Sequence, residues 1–267
     1  MFVPRLNWPL VAAAVFLVLA SSVAWAESPG GCSVATLKGT YGGLEEGTIL
    51  LDFGPPFPPA PFQGIVVGSV TYDGAGNLSI NYMANFGGLS LPGTATGTYT
   101  VNPDCTYTDE VPATDAHRVG VISGEGMSQE LHVMFTDFWV VGSGIRKKTP
   151  PGKCSSATLK GAYALLGQGT APGPVPLAHT GMAFADGKGN LSGSDEQNIA
   201  GTIIPTTFTG TYLVNPDCTV LSTSFEDTNT YPPTNEFGVI AGVGVNQEVW
   251  SIVTDPGYVF IDKAKRK

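Results

Sequence analysis

Two Gln-Glu pairs, Gln129-Glu130 and Gln247-Glu248, are the residues of this chain whose type and recurrence best suit chemistry. Each opens a run of strand character, Leu131-His-Val-Met-Phe135 or Val249-Trp-Ser-Ile-Val253, and each is followed six residues after its glutamate by Thr-Asp. Side chains alternate along a strand, so Glu130, His132, Met134 and Thr136 share one face, and Glu248, Trp250, Ile252 and Thr254 share it in the second run. If that face points into a core, burial raises the carboxyl pKa toward neutrality. Such a group serves as a general acid or holds the polar end of a ligand. If it points outward, the glutamate is simply solvated. The opposite face, with Gln129, Leu131, Val133 and Phe135, reads equally well as core. Glu130 and Glu248 are thus the candidate acid/base groups. Gln129, Gln247, Tyr99 and Tyr212 are candidate ligand-binding groups, the tyrosines reading also as aromatic filling of a core.

Other motifs point to structure. Asp73-Gly-Ala-Gly-Asn77 and Asp186-Gly-Lys-Gly-Asn190 resemble calcium loops only superficially, because no bidentate Glu follows at the required spacing. They read as hairpin turns. Asp104 and Asp217, beside Pro and Cys, read as turn formers. The three histidines, His117, His132 and His179, do not recur at matched positions, so no duplicated metal site is expected and no metal is assigned. Serine-hydrolase and nucleotide-binding glycine motifs are absent, and no cofactor is implied. The stretch Gly54-Pro-Pro-Phe-Pro-Pro-Ala-Pro-Phe62 reads as a stiff exposed connection, a partner-binding tip or the lid of a barrel mouth.

The elements that hold these residues come in two copies. Cys32 to Tyr41 matches Cys154 to Tyr163 at an offset of 122, and Gly97-Thr-Tyr-Thr-Val-Asn-Pro-Asp-Cys-Thr106 matches Gly210 to Thr219 at 113. The Asp-Gly-x-Gly-Asn blocks share the offset of 113, and Gly120 to Glu130 matches Gly238 to Glu248 at 118. A repeat of this length suits a whole domain. Residues 1–26 read as a cleaved export signal: Arg5, an apolar run, then Ala24-Trp25-Ala26. The units then span 27–149 and 150–267. Four cysteines in an exported chain imply two disulfides. The repeat favours Cys32 with Cys105 and Cys154 with Cys218, cross-domain pairing being the alternative.

Composition agrees with this organisation. The 267 residues carry a net charge of −9, only 13% are charged, and Gly and Pro number 35 and 21. A helical bundle and a basic nucleic-acid-binding surface are both excluded by that balance. No membrane span is expected once the signal is removed. Short β-branched and aromatic runs between Gly/Pro-rich turns imply seven or eight strands per unit, hence an all-β protein of two tandem antiparallel barrels, with sandwiches as the alternative. A single helical turn is expected after Cys32 and after Cys154, with Ser33 or Ser155 as cap.

The sequence Cys-x3-Thr-Leu-x-Gly-x-Tyr, then Asp-Gly-x-Gly-Asn, then Gly-Thr-Tyr-x-Val-Asn-Pro-Asp-Cys-Thr resembles a group of uncharacterised exported bacterial proteins. The resemblance implies a calycin-like barrel similar to allene oxide cyclase, twice over. No cyclase catalytic residue falls on a matching motif here, and none is carried over. The expectation is a periplasmic or extracellular protein that binds a small apolar ligand or serves a surface role. The alternatives are a cyclase or isomerase acting on an oxidised lipid, and a protein- or glycan-interaction module.

Overall fold

The computed structural model describes residues 31–52, 54–58, 60–227 and 233–267; the export segment read in residues 1–26 lies outside them. Eight strands follow one another around a first closed antiparallel barrel: β1 (Lys38–Ile49), β2 (Phe62–Asp73), β3 (Asn77–Phe86), β4 (Leu89–Val101), β5 (Thr106–Val111), β6 (Ala116–Ser123), β7 (Glu130–Phe135) and β8 (Val140–Lys148). A second barrel comprises β9 (Lys160–Ala171), β10 (Val175–Asp186), β11 (Asn190–Ile199), β12 (Thr202–Val214), β13 (Thr219–Glu226), β14 (Thr234–Ala241), β15 (Glu248–Val253) and β16 (Val259–Arg266). In each, the last strand pairs with the first, β8 with β1 and β16 with β9. Closure leaves no open edge, and the sandwich alternative falls away. Among the described residues, no helix is long and apolar enough to cross a membrane.

The repeated motifs build the same end of each barrel. Asp73 turns the chain by accepting from the amides of Ala75 and Asn77, at 2.6 and 3.0 Å, and from Asn77 Nδ2 at 2.7 Å. Asp186 does the same with Lys188 and Asn190. Those bonds hold the Asp186 carboxyl down at about 2, the Asn190 side chain contributing most. Cys32 is bonded to Cys105 and Cys154 to Cys218, so each barrel carries its own staple. The expected helical turns are single 3-10 turns, Val34–Thr36 and Ser156–Thr158. The bond seen at each start runs from the Ser33 or Ser155 amide to the hydroxyl of Thr36 or Thr158, at 3.0 Å.

Both barrels lie in one compact unit and pack through their outer faces. Leu44, Ile65 and Val67 of the first meet Val239, Trp250 and Ile252 of the second. At Gly42, close approach requires glycine: a Cβ there would lie 2.6 Å from the carbonyl oxygen of Ile240. Polar contacts frame this seam. Asp217 accepts from Asn81 Nδ2 at 2.7 Å and Ser69 Oγ at 3.2 Å, and Asn85 Nδ2 donates to the Tyr258 carbonyl at 2.7 Å.

Candidate functional site

The outward faces of β7 and β15 hold the two glutamates, so neither enters a barrel. In β7 the inward residues are Leu131 and Val133, both buried, while His132 and Met134 on the glutamate's side are exposed. In β15, Trp250 and Ile252 are buried on the glutamate's side because the first barrel covers that face. Glu130 and Glu248 instead converge on Lys147, whose Nζ is 3.5 Å from Glu130 Oε1 and donates to Glu248 Oε1 at 3.0 Å. Trp250 Nε1 also donates to Glu248 at 2.9 Å. The Lys147–Glu248 contact joins the barrels at their seam, and the premise that this face points into a barrel is not met at either position.

Gln129 and Gln247 do point inward, and the core consumes them. Gln129 accepts from the Tyr41 hydroxyl; Gln247 accepts from the Tyr163 hydroxyl at 2.8 Å and donates to the Thr158 carbonyl at 3.3 Å. Tyr99 donates to the carbonyls of Val34 and Leu37 and accepts from the Gly74 amide, which ties the entry turn to the Asp73 hairpin. Tyr212 repeats the pattern with Ser156, Leu159 and Gly187. Tyr212 also lines a cavity, and Tyr99 packs edge-on against Tyr72 in the core.

The chemistry sits in the barrel interiors, on residues that differ between the copies. In the first barrel, Arg118 and Arg146 each bridge Glu45 and Asp109. Arg118 donates from Nε to Glu45 and from Nη1 to Asp109, both at 3.0 Å. Arg146 donates to Glu45 from Nη2 and to Asp109 from Nη1, both at 2.6 Å, and also to the Tyr72 hydroxyl. Arg146 has 0% exposure. Burial alone would raise the Asp109 carboxyl, but the two guanidinium groups outweigh it and hold the group below its ordinary value. Tyr72 is pushed up to about 12, chiefly by burial. Two cations thus balance two carboxylates, and with Tyr72 and Tyr107 they fill the disulfide end of the barrel.

Above this layer lies a cavity of about 310 Å³ with almost wholly apolar walls, among them Val66, Ile80, Ala84 and Phe86. Arg118 and Glu45 reach it from the charged layer. Arg118 stacks over Phe135, 4.8 Å from the ring centroid, and its Nη2 is the nitrogen engaged with neither carboxylate. From the Pro-rich connection, Phe57 lines the cavity and packs edge-on against Phe86 at 6.0 Å, while Phe62 is buried beside Ile49 and Val140. In the second barrel the corresponding connection is only Pro172 to Pro174.

The second barrel has the same walls with different contents. At the offsets of the repeat, Tyr72, Tyr107 and Arg146 become Ala185, Val220 and Ala264, while Asp109 becomes Ser222 and Arg118 becomes Glu236. The large filling side chains are gone, and a cavity of about 240 Å³ reaches from Tyr163 and Tyr212 at the disulfide end to Ile199 and Tyr258 at the other. Within it, His179 is held between two aspartates, Nδ1 to Asp195 at 2.7 Å and Nε2 to Asp262. Gly167 stands where the first barrel has Glu45, and a Cβ there would lie 2.2 Å from His179 Nε2. Burial would lower the imidazole, but the charge of Asp262 and the bonds to both aspartates push it up to about 10. Glu236 accepts from Ser251 Oγ at 2.9 Å, and burial with the neighbouring Asp262 raises it to about 7.

Matched positions in the two copies conceal this second cluster. His179, Asp195, Glu236 and Asp262 fall opposite Val66, Tyr82, Arg118 and Gly144. The signal they leave in the sequence is a single ionisable residue among the inward, cavity-lining positions of each of β10, β11, β14 and β16, with mostly uncharged neighbours. No family model matches the chain, and no match is found among curated proteins.

Proposed function

We propose that this is an exported binding protein that carries a small, mostly apolar ligand in its first barrel. One observation carries the reading: an apolar chamber of about 310 Å³, roofed by Phe57 and floored by a charge-balanced layer. Its volume lies at the small end of the ~300–1,000 Å³ range of ligand pockets. The ligand is a compact apolar body whose carbonyl or carboxylate oxygen takes the donor at Arg118 Nη2. Two disulfides agree with an oxidising compartment, and with export under the signal read in residues 1–26. The likeness to calycin-type barrels belongs to the same reading.

Native mass spectrometry of the disulfide-bonded protein, incubated with a lipid extract, tests this. The expected result is one small molecule per chain, released on denaturation and absent from Ala84→Trp, which fills the chamber. Val66→Phe, a smaller filling, should weaken retention and guards against misfolding of the first variant. Bare protein at saturating extract, or an adduct that survives both fillings, would overturn the reading.

A further inference from the structure

The interior of the second barrel differs from the first in charge as well as in contents. One imidazole and four carboxyl groups line it: His179 against Asp195, Asp262, Glu236 and Glu226. No Lys or Arg is among the lining residues. The first barrel matches each inward carboxylate of its charged layer with a guanidinium; here one imidazolium answers four carboxyl groups. That imidazolium is already committed, with both ring nitrogens at aspartate oxygens and no lone pair left for a metal ion.

Two acceptors are left over. Among the described residues, Glu236 accepts from the hydroxyls of Ser251 and Ser222, at 2.9 and 3.5 Å. Glu226 accepts from Gln197 Nε2 at 2.7 Å through Oε1, while its Oε2 is buried with no hydrogen-bond partner. A buried carboxylate oxygen without a donor is costly, and this one belongs to a residue that lines the chamber. The rest of the wall is apolar and aromatic, including Leu177, Phe208 and Phe260.

From this chamber, its unanswered carboxyl groups and the orphaned oxygen of Glu226, we propose that the second barrel is a separate binding site for a small organic cation: a protonated amine with an aromatic or short aliphatic body. The ammonium group donates to Glu226 Oε2 and neutralises the excess charge, with Glu236 as the second acceptor. The body lies against the apolar wall, where the faces of Phe208 and Phe260 favour a cation-bearing guest. The two barrels of one chain thus take ligands of different chemistry, and this site does not depend on what the first barrel holds.

Isothermal titration of the intact, disulfide-bonded protein with 2-phenylethylamine, 2-phenylethanol and phenylacetate tests the proposal. The amine is expected to bind one per chain, at least tenfold more tightly than the alcohol of the same shape; phenylacetate, whose carboxylate suits the first barrel, is titrated into Ala84→Trp, where it should bind weakest. Glu226→Gln, which keeps shape and removes charge, should cost the amine tenfold or more and leave the alcohol unchanged. Ala185→Tyr, which installs the first barrel's residue in the chamber, should abolish amine binding without touching a carboxylate. Ala84→Trp in the first barrel should leave it intact, which separates this site from the other. Equal affinity for amine and alcohol, amine binding indifferent to Glu226→Gln and Ala185→Tyr, or no amine binding to the folded protein would overturn it.

Discussion

Arg146 shows how much a single interior side chain decides. It has no contact with water, and its guanidinium group answers two buried carboxylates and a tyrosine hydroxyl. Removing one partner from such a set strands the other charges in a medium that solvates them poorly. Arg146→Met should therefore destabilise the protein by about 3–5 kcal/mol, read from chemical denaturation. A loss below 1 kcal/mol would mean that water reaches Glu45 and Asp109. In the second barrel the telling residue is His179, and the sign of its effect follows from its raised value. A base held at about 10 when folded, against 6.5 when free, binds its proton more tightly in the native state. Its contribution is fully present below pH 6.5 and is lost as the pH rises through about 10. Stability should fall across that window in the native protein and far less in His179→Gln, measured by urea unfolding at each pH. An imidazole that titrates near 6.5 by NMR in the folded protein would refute this.

At the scale of elements, each barrel has one pinned end and one adaptable end. Disulfide, 3-10 turn, Asp-Gly-x-Gly-Asn hairpin and corner tyrosine all meet at the pinned end, and all recur in both copies. Their loops of 73 and 64 residues are long enough that each bridge restricts the unfolded chain by roughly 4 kcal/mol. Replacing Cys154 and Cys218 together by Ala should lower stability by about that amount; an unchanged denaturation midpoint would show the staple to be idle. The adaptable end of the first barrel is roofed by Phe57, so Phe57→Ala should speed exchange of a bound ligand about tenfold. Exchange at the native rate would make the roof incidental. Because turn chemistry is local, the Asp73 and Asp186 hairpins were legible in sequence; the repeat favoured both cysteine pairs, and the strand pattern implied antiparallel barrels with sandwiches as the alternative. The facing of Glu130 and Glu248 was not legible. Alternation separates two faces without saying which is core, and β15 is apolar on both because a second barrel lies against it. The interior cluster of His179, Asp195, Glu236 and Asp262 was hidden for the opposite reason: its members sit at positions where the copies disagree.

In the whole molecule, two sheets that close on themselves still depend on one another. The contrast between His132 and Trp250, which occupy the same place in the repeat, locates the seam: the first is exposed and the second is 2% exposed. Only the second copy turns this face toward its neighbour, where Trp250, Ile252 and Val239 pack on Leu44, Ile65 and Val67. Hydrogen bonds from Gly242 to Lys148 and from Gly257 to Gly88, at 3.0 and 2.9 Å, mark two further contact points between the barrels. Separated barrels would expose this apolar area to water at its usual cost of ~25 cal/mol per Å². The chain should consequently unfold in one transition, even though its hydrogen-bonded sheets are complete within each half. Ile252→Ala removes a fully buried side chain from the seam while leaving both interiors untouched, and should cost about 2–5 kcal/mol. Hydrogen exchange should report that loss in strands of both barrels, β1 and β2 as well as β14 and β15. If exchange quickened in the second barrel alone, or calorimetry resolved two transitions of which only one moved, the barrels would be independent units that merely touch.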